Sequence, residues 1–157
     1  MKLSSQQMGS IVLGVNDGLI ELTGALVGFT FALRNPNLVA ITGLITGVAA
    51  ALSMAASAYM QARHETDRSA PKAAFLTGIF YLVVVLFLVA PYFLVGQVFA
   101  AMGGMLAIAF LIVIIVSSFN ARYLGTSFGR EFGITLIFSL GVAAVSFAIG
   151  LLLNRFF

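Results

Sequence analysis

Long apolar runs separated by short polar breaks make up the whole chain. The runs cover approximately Met8 to Leu33, Leu38 to Met60, Ala73 to Leu94, Val98 to Phe119 and Gly133 to Leu153. A hydrocarbon core about 30 Å thick needs about 20 helical residues, so each run is long enough to cross it. Period-two alternation is absent from them. That argues against a barrel and leaves the α-helix, which satisfies its own backbone in lipid. The breaks carry turn and charge signals: Arg34-Asn35-Pro36-Asn37, the charged segment Gln61 to Lys72, and Asn120 to Phe132 with Arg122, Arg130 and Glu131. The weakest break is Val95-Gly96-Gln97, which has no charge, but the stretch from Ala73 to Phe119 is too long to cross only once. The pattern predicts an all-α membrane protein with five transmembrane helices in a single domain over residues 1–157.

Composition strengthens this reading. Of 157 residues, 61% are apolar and 8% charged, where an ordinary soluble domain has about a quarter of its residues charged. Eight Lys or Arg and five Asp or Glu are too few to solvate a soluble surface, so bilayer must cover most of it. The net charge of +3 is spread singly over the ends of apolar runs, which orients a membrane protein and does not form a nucleic-acid surface. Cysteine is absent, which excludes disulfides and thiolate metal sites. Lys2, Arg63, Arg68, Lys72, Arg122 and Arg130 fall on one side of the five-span arrangement, and Arg34 and Arg155 on the other. The first side is expected to be cytoplasmic, with the N-terminus inside and the C-terminus on the opposite side. The first run is long and carries acids in its middle, so it is expected to be a span and not a cleaved signal peptide.

Those acids are the informative feature. Gly14-Val15-Asn16-Asp17-Gly18-Leu19-Ile20-Glu21 places two carboxylates inside the first span. A charge at the bilayer centre costs roughly 2.5 to 3.5 kcal/mol on insertion scales, and such residues usually face protein or water and mark an ion or proton path. Four residues apart, Asp17 and Glu21 share one helix face, where a cation or a proton would relieve their repulsion. Structural alternatives are that Asp17 caps a half-helix, or that Glu21 pairs with an arginine at a protein interface. Glycines surround the acids: Gly14 and Gly18, Gly24 and Gly28, and, in the second span, Gly43 and Gly47. Each pair permits close helix contact, either within the chain or at a dimer interface beside the acids. Five helices enclose little polar space, and a symmetric homodimer would supply the missing wall of a pore. In the second span Ser53-Met54-Ala55-Ala56 sets a thioether among small residues. Met54 is either packing or, if it faces the acids, a soft ligand that favours a transition metal.

These residues resemble the vacuolar iron transporter family of divalent iron and manganese carriers. The resemblance rests on Asn16-Asp17-Gly18-Leu19 in the first span and on Gly43 to Gly47 followed by Ala51-Leu52-Ser53-Met54-Ala55-Ala56 in the second. It covers about the first sixty residues; the other three spans agree in number, length and charge placement. It implies a five-helix protomer and a homodimer whose first helices line a central path holding Asp17 and Met54, with Asn16, Gly14, Gly18, Gly43, Gly47 and Ser53 in the pore or its packing. The sequence also departs from the family. Ala58 stands where a glutamate often follows the second motif, Gln6 and Ser10 stand where some members carry further acids, and Gln61 to Lys72 is a short loop in place of a glutamate-rich cytoplasmic module.

With the acids in the first span, the resemblance implies export of Fe2+ or Mn2+ from the cytoplasm, with proton exchange expected. Asp17 would bind metal and proton in turn, Glu21 would extend the site and Met54 would tune it. No permanently bound cofactor is expected. The membrane would be the cell membrane of a prokaryote, or the vacuolar or another organelle membrane of a eukaryote. Rival readings are a small proton-coupled exporter of organic cations and a non-transporting assembly subunit. The neighbourhood of Asp17 lacks an aromatic cage for an organic cation. An enzyme is not expected, because no phosphate loop, zinc motif or nucleophile triad is present. His64, Glu65 and Asp67 lie among arginines directly after a span and read as a solvated helix end. Asn120, Arg122, Tyr123 and Arg130-Glu131 read as interfacial residues.

Overall fold

The computed structural model describes residues 5–64 and 69–156. It consists of α1 (Ser5–Leu33), α2 (Pro36–His64), α3 (Ala70–Leu94), α4 (Val98–Leu124) and α5 (Phe128–Phe156). There is no strand among the described residues, and all five helices are long and apolar enough to cross a membrane. Every helix except α1 and α3 at its C-terminal end, and α4 at its N-terminal end, outruns the apolar run that predicted it. The physical reason is that a helical ladder needs apolar side chains only inside the hydrocarbon, and it continues through polar residues until a cap stops it.

Those caps are local chemistry. Arg34 takes the left-handed conformation (φ 51°) after α1 and its amide bonds the Thr30 carbonyl at 3.2 Å. Asn35 then accepts the Leu38 amide at 3.2 Å, and Pro36 opens α2, the usual pairing of a capping side chain with a proline at the first helical position. Gly125 (φ 66°) ends α4 with its amide on the Ala121 carbonyl. The uncharged break at 95–97 holds as a turn: Val95 is extended and its amide bonds the Pro91 carbonyl at 2.9 Å.

Helix α1 is the centre of the bundle and touches all four others. It runs parallel to α3, since Gly14 meets Thr77, Gly18 meets Tyr81 and Thr30 meets Tyr92. It also runs parallel to α5, through Gly24 with Val142, Gly28 with Ser146 and Ala32 with Asn154. Helix α2 runs against α3, with Gly43 on Val89 and Gly47 on Val85. The described chain therefore starts and finishes at opposite ends of the bundle.

Lipid removes most of the hydrophobic drive between helices, so close backbone approach and hydrogen bonds must hold them. The glycines do this inside the protomer. A Cβ on Gly14 would run into the Thr77 carbonyl oxygen, and one on Gly24 would lie 2.5 Å from the Val142 side chain. The close approaches that the sequence left open between chain packing and an interface are, for Gly14, Gly18, Gly43 and Gly47, contacts within the chain. Polar ties run alongside them. Thr30 donates to the Leu26 carbonyl at 2.7 Å, so its one proton is used and the Tyr92 hydroxyl, 2.7 Å away, donates to it. The Thr77 hydroxyl bonds the Ser10 carbonyl at 3.2 Å.

Candidate ion site in the first helix

Asp17 and Glu21 lie near the middle of α1, which is helical without interruption from Ser5 to Leu33. Asp17 therefore does not cap a half-helix. Glu21 accepts a 2.7 Å hydrogen bond at Oε2 from the hydroxyl of Tyr81 on α3, a tyrosine of the same chain. The two carboxylates and Tyr81 are close enough to act on one another electrostatically.

The local sequence explains how the tyrosine reaches the acid. Tyr81 is completely buried and its ring lies over Gly18, where an added Cβ would sit 3.3 Å from Tyr81 Cγ. Glycine at that position lets α3 approach, and the hydroxyl emerges beside Glu21, three residues further along α1. Glu21 is nevertheless exposed in the single protomer, and Asp17 is partly so. A carboxylate is thus held by a buried hydroxyl on one side and left open on the other, at a depth where lipid cannot solvate it.

The other sequence candidates fall into different places. Asn16 has a buried side-chain oxygen with no hydrogen-bond partner. Ser53 is exposed on α2, and Met54 is partly buried against the apolar core. His64 is exposed at the end of α2, one residue after Arg63, whose guanidinium lies 5.9 Å from the Tyr59 ring centre; Glu65 and Asp67 lie outside the described residues. Among the described residues no group of three or more His, Asp or Glu is gathered for a metal. Asn120, expected at the interface, is instead buried. α4 continues past it to Leu124 and keeps it inside the bundle. Glu131 accepts the Thr126 hydroxyl at 2.8 Å across the start of α5. Tyr81 was not legible as a site residue, because one tyrosine in the run Phe80-Tyr81-Leu82 looks like apolar filling. The only signal was that Thr77, Tyr81 and Tyr92 fall on a common face of α3.

The arrangement defines a polytopic α-helical membrane protein with two carboxylates inside its first span, one of them, Glu21, braced by a tyrosine. A family model described as the VIT family matches residues 8–70, so the chain is similar to that family over its first two helices. The matched segment contains Asp17, Glu21 and Met54 and ends where α3 begins. No curated protein matches the chain.

Proposed function

We propose that the protein is a homodimeric carrier that exports Fe2+ or Mn2+ from the cytoplasm in exchange for protons. The observation that carries this reading is the exposed Glu21 carboxylate, fixed by the buried Tyr81 hydroxyl and adjacent to Asp17 within a membrane-spanning helix. Two carboxylates supply hard oxygen donors but not a complete shell for a divalent transition metal, which usually takes four to six ligands. A second copy of α1 across a two-fold axis would double the set and would cover the open side of Glu21.

The chemistry follows from competition. A carboxylate oxygen that holds a metal ion cannot hold a proton, so metal binding releases protons and protonation releases metal. Asp17 alternates between the two; Glu21, restrained by Tyr81, tunes the site. The family match and the basic residues at one end of the bundle support export toward the side of the C-terminus.

The test is Asp17→Asn in proteoliposomes. The amide keeps the shape of the acid but exchanges no proton, so flux of Fe2+ and Mn2+ is expected to vanish while the variant still folds and assembles as the parent does. Persistent pH-dependent flux in Asp17→Asn would remove Asp17 from the mechanism. Loss of assembly with no metal flux in the parent would favour the assembly-subunit reading.

A further inference from the structure

Helices α2 and α3 leave a groove of about 270 Å3 on their outer side. Its shape follows from residue size. Gly78 brings α3 close to α2, where an added Cβ would lie 3.0 Å from the Cβ of Ala55, and the short side chains of Ala51, Ala55 and Ala74 leave the hollow. Leu52 of α2 and Phe75 of α3, 68% and 69% exposed, form its two rims. No polar side chain lines it. Even an apolar cavity of about 150 Å3 stays dry and admits an apolar molecule, so this groove suits hydrocarbon and not water. Along α3 the lining runs from Ala74 to Leu82. That is about 12 Å of helix, which fits within one leaflet's share, about 15 Å, of the hydrocarbon core.

One end of the groove is cationic. Lys72 lies one turn before Phe75 and Arg63 two turns beyond Ala55, so each continues its helix's row of lining residues toward the basic end of the bundle. The antiparallel register that sets Gly43 on Val89 and Gly47 on Val85 brings Arg63 level with the first turn of α3. The two cations therefore differ in depth by less than about 5 Å, one helical pitch. Both are exposed, and Arg63 turns back along α2, its guanidinium 5.9 Å from the ring centre of Tyr59, one turn beyond Ala55. The described acids are elsewhere, Asp17 and Glu21 in α1 and Glu131 in α5. In the sequence, Arg63, Arg68 and Lys72 outnumber Glu65 and Asp67, so this segment stays net positive.

We propose that the groove holds one acyl chain of an anionic phospholipid, whose phosphate is bound by Arg63 and Lys72. Hydrocarbon fills the apolar length, and the cations stand where the headgroup begins. Tyr59 lies between the two levels, the depth at which aromatic residues are enriched. Arginine offers a planar fork to phosphate oxygens and lysine a point charge. Basic pockets between spans commonly select anionic headgroups, whereas a zwitterionic lipid brings an ammonium that offsets the attraction. A second copy of the chain suits the groove less well, because a two-fold axis along the membrane normal would set these cations against their like. The site uses neither Asp17 nor Glu21 and does not depend on metal exchange.

The chain contains no tryptophan, so a single one placed at the groove is a local reporter. Phe75→Trp is reconstituted in phosphatidylcholine vesicles containing acyl-brominated phosphatidylglycerol or, in a parallel series, acyl-brominated phosphatidylcholine at the same mole fraction. Bromine quenches the indole on contact. Leu52→Trp on the opposite rim replaces this variant if it does not fold, and Ile137→Trp on α5, 71% exposed, is the reference. Each basic residue near an anionic surface strengthens attraction about fivefold, so phosphatidylglycerol is expected to be preferred at the groove by at least about fivefold and at the reference by less than about twofold. The preference is expected to fall to the reference level when Arg63→Gln and Lys72→Gln are added together, and to weaken as salt is raised. Equal preference at the groove and the reference, or a preference that survives both glutamines, would overturn the proposal. Quenching by neither lipid would mean that protein covers the groove, which overturns it too. No metal is present in this assay, so its failure is distinguishable from failure of the metal-exchange reading in Asp17→Asn.

Discussion

Replacing Tyr81 with phenylalanine removes one hydroxyl and little else. The ring is completely buried and rests over Gly18, and phenylalanine preserves that packing. What disappears is the 2.7 Å bond to Glu21. Hydrogen bonds to a charged group contribute about 1.5 to 3 kcal/mol in proteins, whereas side-chain hydrogen bonds between membrane helices average about 0.6 kcal/mol. Glu21 is exposed in the protomer, so solvent or a partner surface screens it and the lower part of the charged range is expected. Tyr81→Phe should therefore destabilise by about 1.5 kcal/mol, roughly a tenfold change in the folding equilibrium. Reversible unfolding in mixed micelles measures it, and Glu21→Gln supplies the second edge of a double-mutant cycle. Glutamine still offers a carbonyl to the tyrosine but carries no charge, so in that background Tyr81→Phe should cost only about 0.6 kcal/mol. Costs that agree within about 0.5 kcal/mol in the two backgrounds would refute the claim that the tyrosine braces a charged acid.

The glycines provide a graded series. Gly14→Ala should destabilise clearly, because its Cβ collides with the Thr77 carbonyl oxygen, Gly18→Ala less, and Gly9→Ala should be neutral or stabilising by up to about 1 kcal/mol, since nothing lies within 4 Å of its Cβ. Thermal unfolding of the three variants checks the order, and a reversed order would refute the packing argument. In right-side-out vesicles a tag at Met1 should be protected and one after Phe157 accessible; both tags on one side would contradict five crossings. Met54→Leu conserves volume and should cost less than about 1.5 kcal/mol in stability. If the thioether touches the ion, this variant should lose Fe2+ transport more than Mn2+ transport, and parallel losses in a two-ion flux assay would return Met54 to packing.

The spans were legible because lipid imposes one strong constraint, a run of about 20 apolar residues, and the chain meets it five times. Most of their ends were not: α1 stops at Leu33, where the turn Arg34-Asn35-Pro36-Asn37 was visible, but α2, α4 and α5 run on through polar residues until local caps such as Gly125 stop them. Asp17 and Glu21 could be singled out from the sequence because a carboxylate in an apolar run is conspicuous. Tyr81 could not, since its role depends on which residue of α1 faces it across Gly18. For the same reason Asn120 read as interfacial: a polar residue near the end of an apolar run looks exposed until the helix is seen to continue for another turn.

The placement of the glycines also bears on where a second copy would sit. Glycine pairs beside intramembrane acids suggest a tight dimer through α1, but α3 and α5 already occupy the close approaches at Gly14, Gly18, Gly24 and Gly28. Apart from Gly9 and Leu33 toward its ends, what α1 leaves exposed is Leu13 and Glu21. Two carboxylates at lipid depth are unfavourable by several kcal/mol if each costs about 2.5 to 3.5, and one tyrosine hydroxyl offsets only part of that. The remainder must be met by water, by a cation or by protein on the open side. On the proposed reading the dimer forms across the acids themselves, not across the glycines. Apposing two such faces without a cation would set four acids against one another, so metal or protons would stabilise the assembly as well as being its cargo.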